Sequence, residues 1–129
     1  MRADDTRPIW VQLADAFQAR ILSGEWEPGA KVPSVRELAI EMGVNPNTVQ
    51  RSLASLDSRG LTLTERTAGR FVTTDADTIN QARLGAASSA ADVYIAAARD
   101  YGIDEDGAVA LVTARWRASA GPGVPVGAL

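Results

Sequence analysis

Residues 33–60 read PSVRELAIEMGVNPNTVQRSLASLDSRG, and this stretch decides the fold. Ser34 and Glu37 stand at S-x-x-E spacing, the signature of a capping box: the hydroxyl accepts from the Glu37 N–H, and the carboxylate reaches back to the Ser34 N–H. Val35, Leu38, Ala39 and Met42 then recur at helical spacing and give one apolar face. Gly43 ends this helix because glycine enters the left-handed C′ conformation without a Cβ clash. Asn45 is a suitable N-cap for a second helix, and Pro46 stands at its first position, where a missing N–H costs nothing. Val49, Leu53 and Leu56 form the inward face of that second helix. At about 100° per residue, Asn47, Arg51, Ala54 and Ser58 point the other way, with Thr48 and Gln50 on the flanks. Gly60 closes the helix after Arg59.

Two short helices, a tight turn with glycine, and polar groups at the start of the second helix describe a helix-turn-helix. Asn47, Thr48, Gln50 and Arg51 are residue types that hydrogen-bond base edges and phosphates. The plainer reading of the same spacing is an αα-hairpin whose outer face is simply solvated.

Upstream, Trp10, Leu13, Ala14, Phe17 and Ile21 form a wide apolar stripe on a first helix, started by Pro8 with Asp5 or Thr6 as cap and ended at Ser23-Gly24. Trp10 on such a stripe is expected to be core, with a base-stacking side chain as the alternative. Pro28-Gly29 marks a turn, and Glu25-Trp26 is a candidate for a very short strand. Downstream of Gly60 the period changes to that of strands. Leu61, Leu63 and Glu65 alternate with Thr62, Thr64 and Arg66, and Phe71-Val72-Thr73 forms a second β-type run. The two runs make a hairpin with a glycine-bearing tip and flanking arginines. Beside a helix-turn-helix, such a hairpin is a wing that touches backbone or minor groove; alone, it is a structural hairpin.

From Asp75 the chain becomes alanine-rich. Asp75 or Asp77 caps a long helix reaching to about Tyr101, with Ile79, Ala82, Ala86, Val93, Ala97 and Tyr101 on one face at near-heptad spacing. Gly102 breaks it. Asp104 caps a shorter helix in which Val109, Val112 and Trp116 are expected inward, with Glu105 and Asp106 at its positive end. A helical pair this small has little room for a ligand pocket, and its small residues favour close helix contact, so it reads as a dimerisation arm; an αα-hairpin folded on its own domain is the alternative. Residues 121–129, GPGVPVGAL, are expected to be irregular.

The expected organisation is thus mostly α with a small β-wing: a winged helix-turn-helix domain over 1–74, a helical dimerisation region over 75–120 and a flexible tail over 121–129. The chain of 129 residues carries a net charge of −3, which argues against a nucleic-acid partner until it is divided. Up to Thr74, nine Lys/Arg balance nine Asp/Glu; from Asp75 on, four Arg face seven acids, the whole deficit. Cysteine and histidine are both absent, which removes thiolate chemistry, the commonest metal ligand and the commonest general base. Without a glycine-rich phosphate loop either, no catalytic constellation emerges, and neither a cofactor nor a metal is expected. No apolar run suits a membrane span and no signal-peptide pattern opens the chain, so a cytoplasmic location is expected.

The blocks PIWVQL (8–13), ILSGEWEPGAKVPSVRELAIEMGVNPNTVQRSL (21–53) and GRFV (69–72) resemble the N-terminal domain of the GntR superfamily of bacterial transcription regulators. The short two-helix tail looks like that of the YtrA subfamily. The resemblance implies a homodimer on palindromic double-stranded DNA, often a repressor, and not an enzyme. A winged-helix protein-interaction module without DNA binding is the alternative function, and a small-molecule effector has no signature. By resemblance, Arg36 matches the DNA-contacting arginine of P-S-x-R-E-L-A. Asn45, Pro46, Asn47 and Thr48 match the start of the recognition helix, Gln50 and Arg51 its next exposed turn, and Gly69 the second wing glycine. With Ser34 at the helix start and Arg66, Thr67 and Arg70 at the wing, these form the candidate DNA-contact set. Two positions depart from the family pattern: Thr67 replaces a wing glycine, and Asp57 stands where glutamate is usual.

Overall fold

The structure is a computed structural model and describes residues 5–119 and Gly123. Among these, five helices and two strands follow in the order α1 (Ile9–Leu22), α2 (Val35–Met42), α3 (Pro46–Ser58), β1 (Thr62–Glu65), β2 (Gly69–Val72), α4 (Ala76–Asp100) and α5 (Glu105–Ala118). The chain divides into two compact units, Met1–Gln81 and Ala82–Leu129.

In the first unit, α1 and α2 both pack on α3, and Leu13, Ala14, Phe17 and Ile21 of α1, Leu38 of α2 and Val49, Leu53 and Leu56 of α3 are essentially inaccessible to solvent. They are the residues whose 3.6-residue spacing marks the inward faces, and removing their apolar surface from water is the main stabilising term. Leu61, Val32, Val72 and Ile79 complete this core. Ile79 lies in the first turns of α4, so the division between units falls inside that helix, past the chain position 74/75 at which its composition shifts.

Local chemistry sets the helix ends. The Ser34 hydroxyl accepts from the Glu37 N–H at 3.1 Å, and Gly43 sits at φ 66° after α2. The Asn45 side-chain oxygen accepts from the Asn47 N–H at 2.8 Å, with Pro46 at the first position of α3. Helix α1 differs from expectation. Pro8 itself is the N-cap, without a side-chain bond, while Asp5 is engaged by the Arg7 N–H and guanidinium.

β1 and β2 pair antiparallel with Thr62 opposite Val72 and Glu65 opposite Gly69. A third, very short piece joins them. Val32 N–H donates to Arg70 O at 2.8 Å and Val72 N–H to Ala30 O at 2.9 Å, with Lys31 bridged to Phe71. The short extended pairing therefore falls at Ala30–Val32 and not at Glu25-Trp26. Trp26 instead donates its N–H to Arg20 O at 2.8 Å and stacks its ring on Phe17 at 5.5 Å. The expected alternation along β1 also fails to set burial: Thr62 is buried and Leu63 is exposed. Beyond Thr62 the hairpin leaves the body of the unit, so its faces no longer distinguish core from solvent.

In the second unit, Tyr101 and Gly102 turn α4 into α5, with Gly102 at φ 74° and Ile103 N–H bonded to Ala98 O at 2.8 Å. Asp104 caps α5 through the Gly107 N–H at 2.9 Å, and the Tyr94 hydroxyl donates to Ala108 O at 2.7 Å. Glu105 and Asp106 occupy the positive end of α5, and Arg115 and Arg117 the negative end. Val109, Val112 and Trp116, expected inward, are exposed, as no residue of α5 is buried. Two helices alone cannot cover both sides of an apolar helix. The tail expectation at 121–129 lies outside the described residues apart from Gly123.

A winged-helix nucleic-acid interface

Helix α3 is presented by its own start. Because Asn45 and Pro46 fix the first turn, Asn47, Gln50 and Arg51 emerge on the face opposite Val49, Leu53 and Leu56, and all three are exposed; Thr48 is half-buried. Ser34 and Arg36, at the start of α2, are exposed as well. The wing stands beside them. An open groove brings Ser34 of α2 and Gln50 of α3 together with Thr67, Gly69 and Arg70 of the wing, all from the candidate set. Arg66 is exposed at the wing tip. Lys31 joins this groove, although the sequence reading did not count it as a contact. Its signal was present: a basic side chain between the Pro28-Gly29 turn and Pro33, beside the wing strand. Gly69, at φ 111°, lies directly under it, since a Cβ there would come within 2.8 Å of Lys31 Cε.

The described arginines of the first unit separate into two groups. Arg7 pairs with Asp5 and Asp15, Arg20 with Glu41 and Glu25, Arg59 with Asp15, and Arg70 with Asp57. Among the described residues, no carboxylate lies within salt-bridge distance of Arg36, Arg51 or Arg66. These three are on the helix-turn-helix and the wing. An unpaired, exposed guanidinium keeps its donors for a carboxylate or phosphate from outside.

Arg70 is the member of the candidate set whose surroundings are structural. Its Nη2 lies 3.0 Å from Asp57 Oδ2, and its side chain is 12% exposed. Asp57 also accepts from the Thr62 hydroxyl and, at 2.9 Å, from that of Thr64. One carboxylate at the end of α3 therefore holds both strands of the wing. Partial burial acts to raise the Asp57 pKa, but the hydrogen bonds from Arg70, Thr62 and Thr64 outweigh it and hold the carboxyl below its ordinary value. Trp10 also departs from expectation. It is half-buried, with the Arg51 guanidinium carbon 4.3 Å from its ring centre.

Residues 11–72 match the family model described as bacterial regulatory proteins, gntR family. The chain is similar to the uncharacterized HTH-type transcriptional regulator YhcF of Bacillus subtilis, 40% identical over 76 residues that cover 59% of this chain and 63% of YhcF. It is similar to the HTH-type transcriptional repressor YtrA of the same organism, 38% identical over 55% of both chains. The match thus spans less than two thirds of the length of either relative. Among solved structures, a GntR family transcriptional regulator from Listeria monocytogenes superposes with a TM-score of 0.79 at 34% identity, over 85% of this chain and 96% of that one. The AraR DNA-binding domain in complex with an operator superposes with a TM-score of 0.52 at 26% identity, over 57% and 89%. With its winged helix-turn-helix and short two-helix C-terminal region, the chain belongs to the GntR family of bacterial regulatory proteins and has YtrA-like relatives.

Proposed function

We propose that this chain is a sequence-specific transcriptional regulator that binds double-stranded DNA as a homodimer and represses from a palindromic operator. The observation that carries the reading is the set of unpaired arginines, Arg36, Arg51 and Arg66, around the exposed start of α3. In this reading α3 enters the major groove. Asn47, Gln50 and Arg51 read base edges, Arg36 and Ser34 hold the backbone, and the wing, with Arg66, Thr67 and Lys31, follows the adjoining strand. Arg70 is left to the wing's internal support. The relatives YhcF and YtrA are named as regulators rather than enzymes, and YtrA carries the word repressor in its name.

The dimer reading rests on the second unit. Val93, Tyr101, Val109, Leu111, Val112 and Trp116 are all large, apolar and more than two fifths exposed. Large apolar side chains left exposed on a short helical pair suit an interaction site. A second copy covering it pairs two recognition helices about a two-fold axis, which requires a palindromic operator. No helix among the described residues is long and apolar enough to cross a membrane.

The test is a mobility-shift titration with duplexes selected by the purified protein from a random pool, at stated salt. Arg51→Ala is expected to weaken binding by about 1–3 kcal/mol, and Arg36→Ala to weaken it across all sequences and lower the salt slope by about 1. No shift at micromolar protein, or full affinity in both Arg36→Ala and Arg51→Ala, overturns the DNA reading. Sedimentation of a chain ended after Gln81, which keeps Ile79, tests the dimer; a truncated chain that remains dimeric refutes it.

A further inference from the structure

Of the arginines described in the first unit, Arg51 alone combines a place on the exposed face of α3 with a contact to an aromatic ring and no carboxylate partner. Arg20 also lies against rings, those of Phe17 and Trp26, but it is claimed by Glu41 at 2.6 Å. Trp10 comes from the first turn of α1 and stands 41 positions away in the chain. Trp10 is half-buried, and its ring receives the Arg51 guanidinium.

We propose that Trp10 is a positioning residue for DNA recognition: its ring presents the Arg51 guanidinium to the duplex. The inference rests on the DNA-binding reading above and adds the device that orients one of its contacts. A guanidinium against a ring face is held by its charge and its flat surface, and the ring offers no strong acceptor. The N–H donors at the guanidinium rim therefore remain for a guanine edge or a phosphate. An arginine side chain carries some of the largest rotamer entropy of any residue, and binding normally has to freeze it. A ring that already restricts it in the free protein removes part of that cost at the moment of contact. A carboxylate would restrict it equally well but would have to be displaced, with its charge left near phosphates. A tryptophan restricts the side chain without competing for its hydrogen bonds.

The experiment is a double-mutant cycle on the full chain. The probe is a fluorescently labelled duplex chosen by the wild-type protein from a random-sequence pool, titrated by polarisation. The variants are Trp10→Ala, Trp10→Phe, Arg51→Ala and the Trp10→Ala/Arg51→Ala pair, with thermal unfolding of each as a control. Trp10→Ala is expected to weaken binding about 3- to 5-fold, and Trp10→Phe to retain most of the affinity. In the Arg51→Ala background, Trp10→Ala is expected to have no further effect. A merely structural tryptophan would weaken both backgrounds equally, and that result overturns the proposal. So does tighter binding by Trp10→Ala, which would make the ring a trap instead of a support. A second readout needs no DNA: the Arg51 Nε–H proton resonance is expected upfield from the ring current in the wild type and at its ordinary position in Trp10→Ala. An unshifted resonance in the wild type overturns the proposal while leaving the DNA reading intact. Failure of the wild-type protein to select any duplex removes both.

Discussion

Asp57→Asn removes one charge from the centre of the wing support and leaves the side-chain volume almost unchanged. In the native chain this carboxylate meets Arg70 at 3.0 Å, the hydroxyl of Thr64 at 2.9 Å and the hydroxyl of Thr62. The Arg70 side chain is 12% exposed and that of Asp57 30%, so the pair lies between two regimes. An exposed pair contributes about 0–1 kcal/mol, whereas removing one partner of a buried pair costs about 3–5 kcal/mol. An intermediate loss of about 2 kcal/mol is expected, corresponding to a fall of about 8–16 °C in Tm for a unit of this size. The effect is tied to pH. Because the folded carboxyl titrates below its unfolded value, the stabilisation is fully present above the unfolded pKa of about 4 and fades as pH falls through the lower folded value. Urea titrations of wild type and Asp57→Asn at pH 7 and in a series towards pH 2 measure this directly. The difference between the two proteins should shrink with acidification. A loss at pH 7 below about 0.5 kcal/mol, the range of ordinary surface changes, refutes the account, and so does a loss that persists unchanged in acid.

Three further outcomes follow from the same structure. Leu53→Ala, at a side chain 1% exposed between α1 and α2, should cost about 2–5 kcal/mol by urea unfolding. Ser34→Ala removes the hydroxyl that caps α2 and should cost about 1 kcal/mol, with Ser34→Asp restoring most of it. Gly69→Val places a β-branched residue at φ 111° and against Lys31, and should cost about 1–3 kcal/mol while lowering the affinity for duplex DNA.

Much of the first unit was legible because its signals are local. A cap bonds two or three residues along, a left-handed glycine acts on its own helix end, and an apolar stripe repeats within a single helix. Ser34–Glu37, Gly43, Asn45-Pro46 and the faces Leu13–Phe17–Ile21 and Val49–Leu53–Leu56 all involve separations shorter than one element. The errors were at places where a distant neighbour decided the outcome. Trp26 reads as a strand residue until its ring meets Phe17 and its N–H meets the end of α1. Leu63 reads as inward until the hairpin leaves the core. Val109 and Trp116 read as inward because an apolar residue implies a covering surface, yet both are exposed among the described residues.

The sequence by itself determined that two helices and a turn would display Asn47, Gln50 and Arg51, since capping and helical periodicity act within a few residues of chain. Only the tertiary structure decided which arginines are free to meet a ligand. Arg70 and Arg51 are equally basic as letters, yet one is held by Asp57, 13 positions away, and the other lies on Trp10, 41 positions away. The physical reason is that ion pairs and ring contacts depend on distance through space at a few ångströms, and folding alone sets those distances.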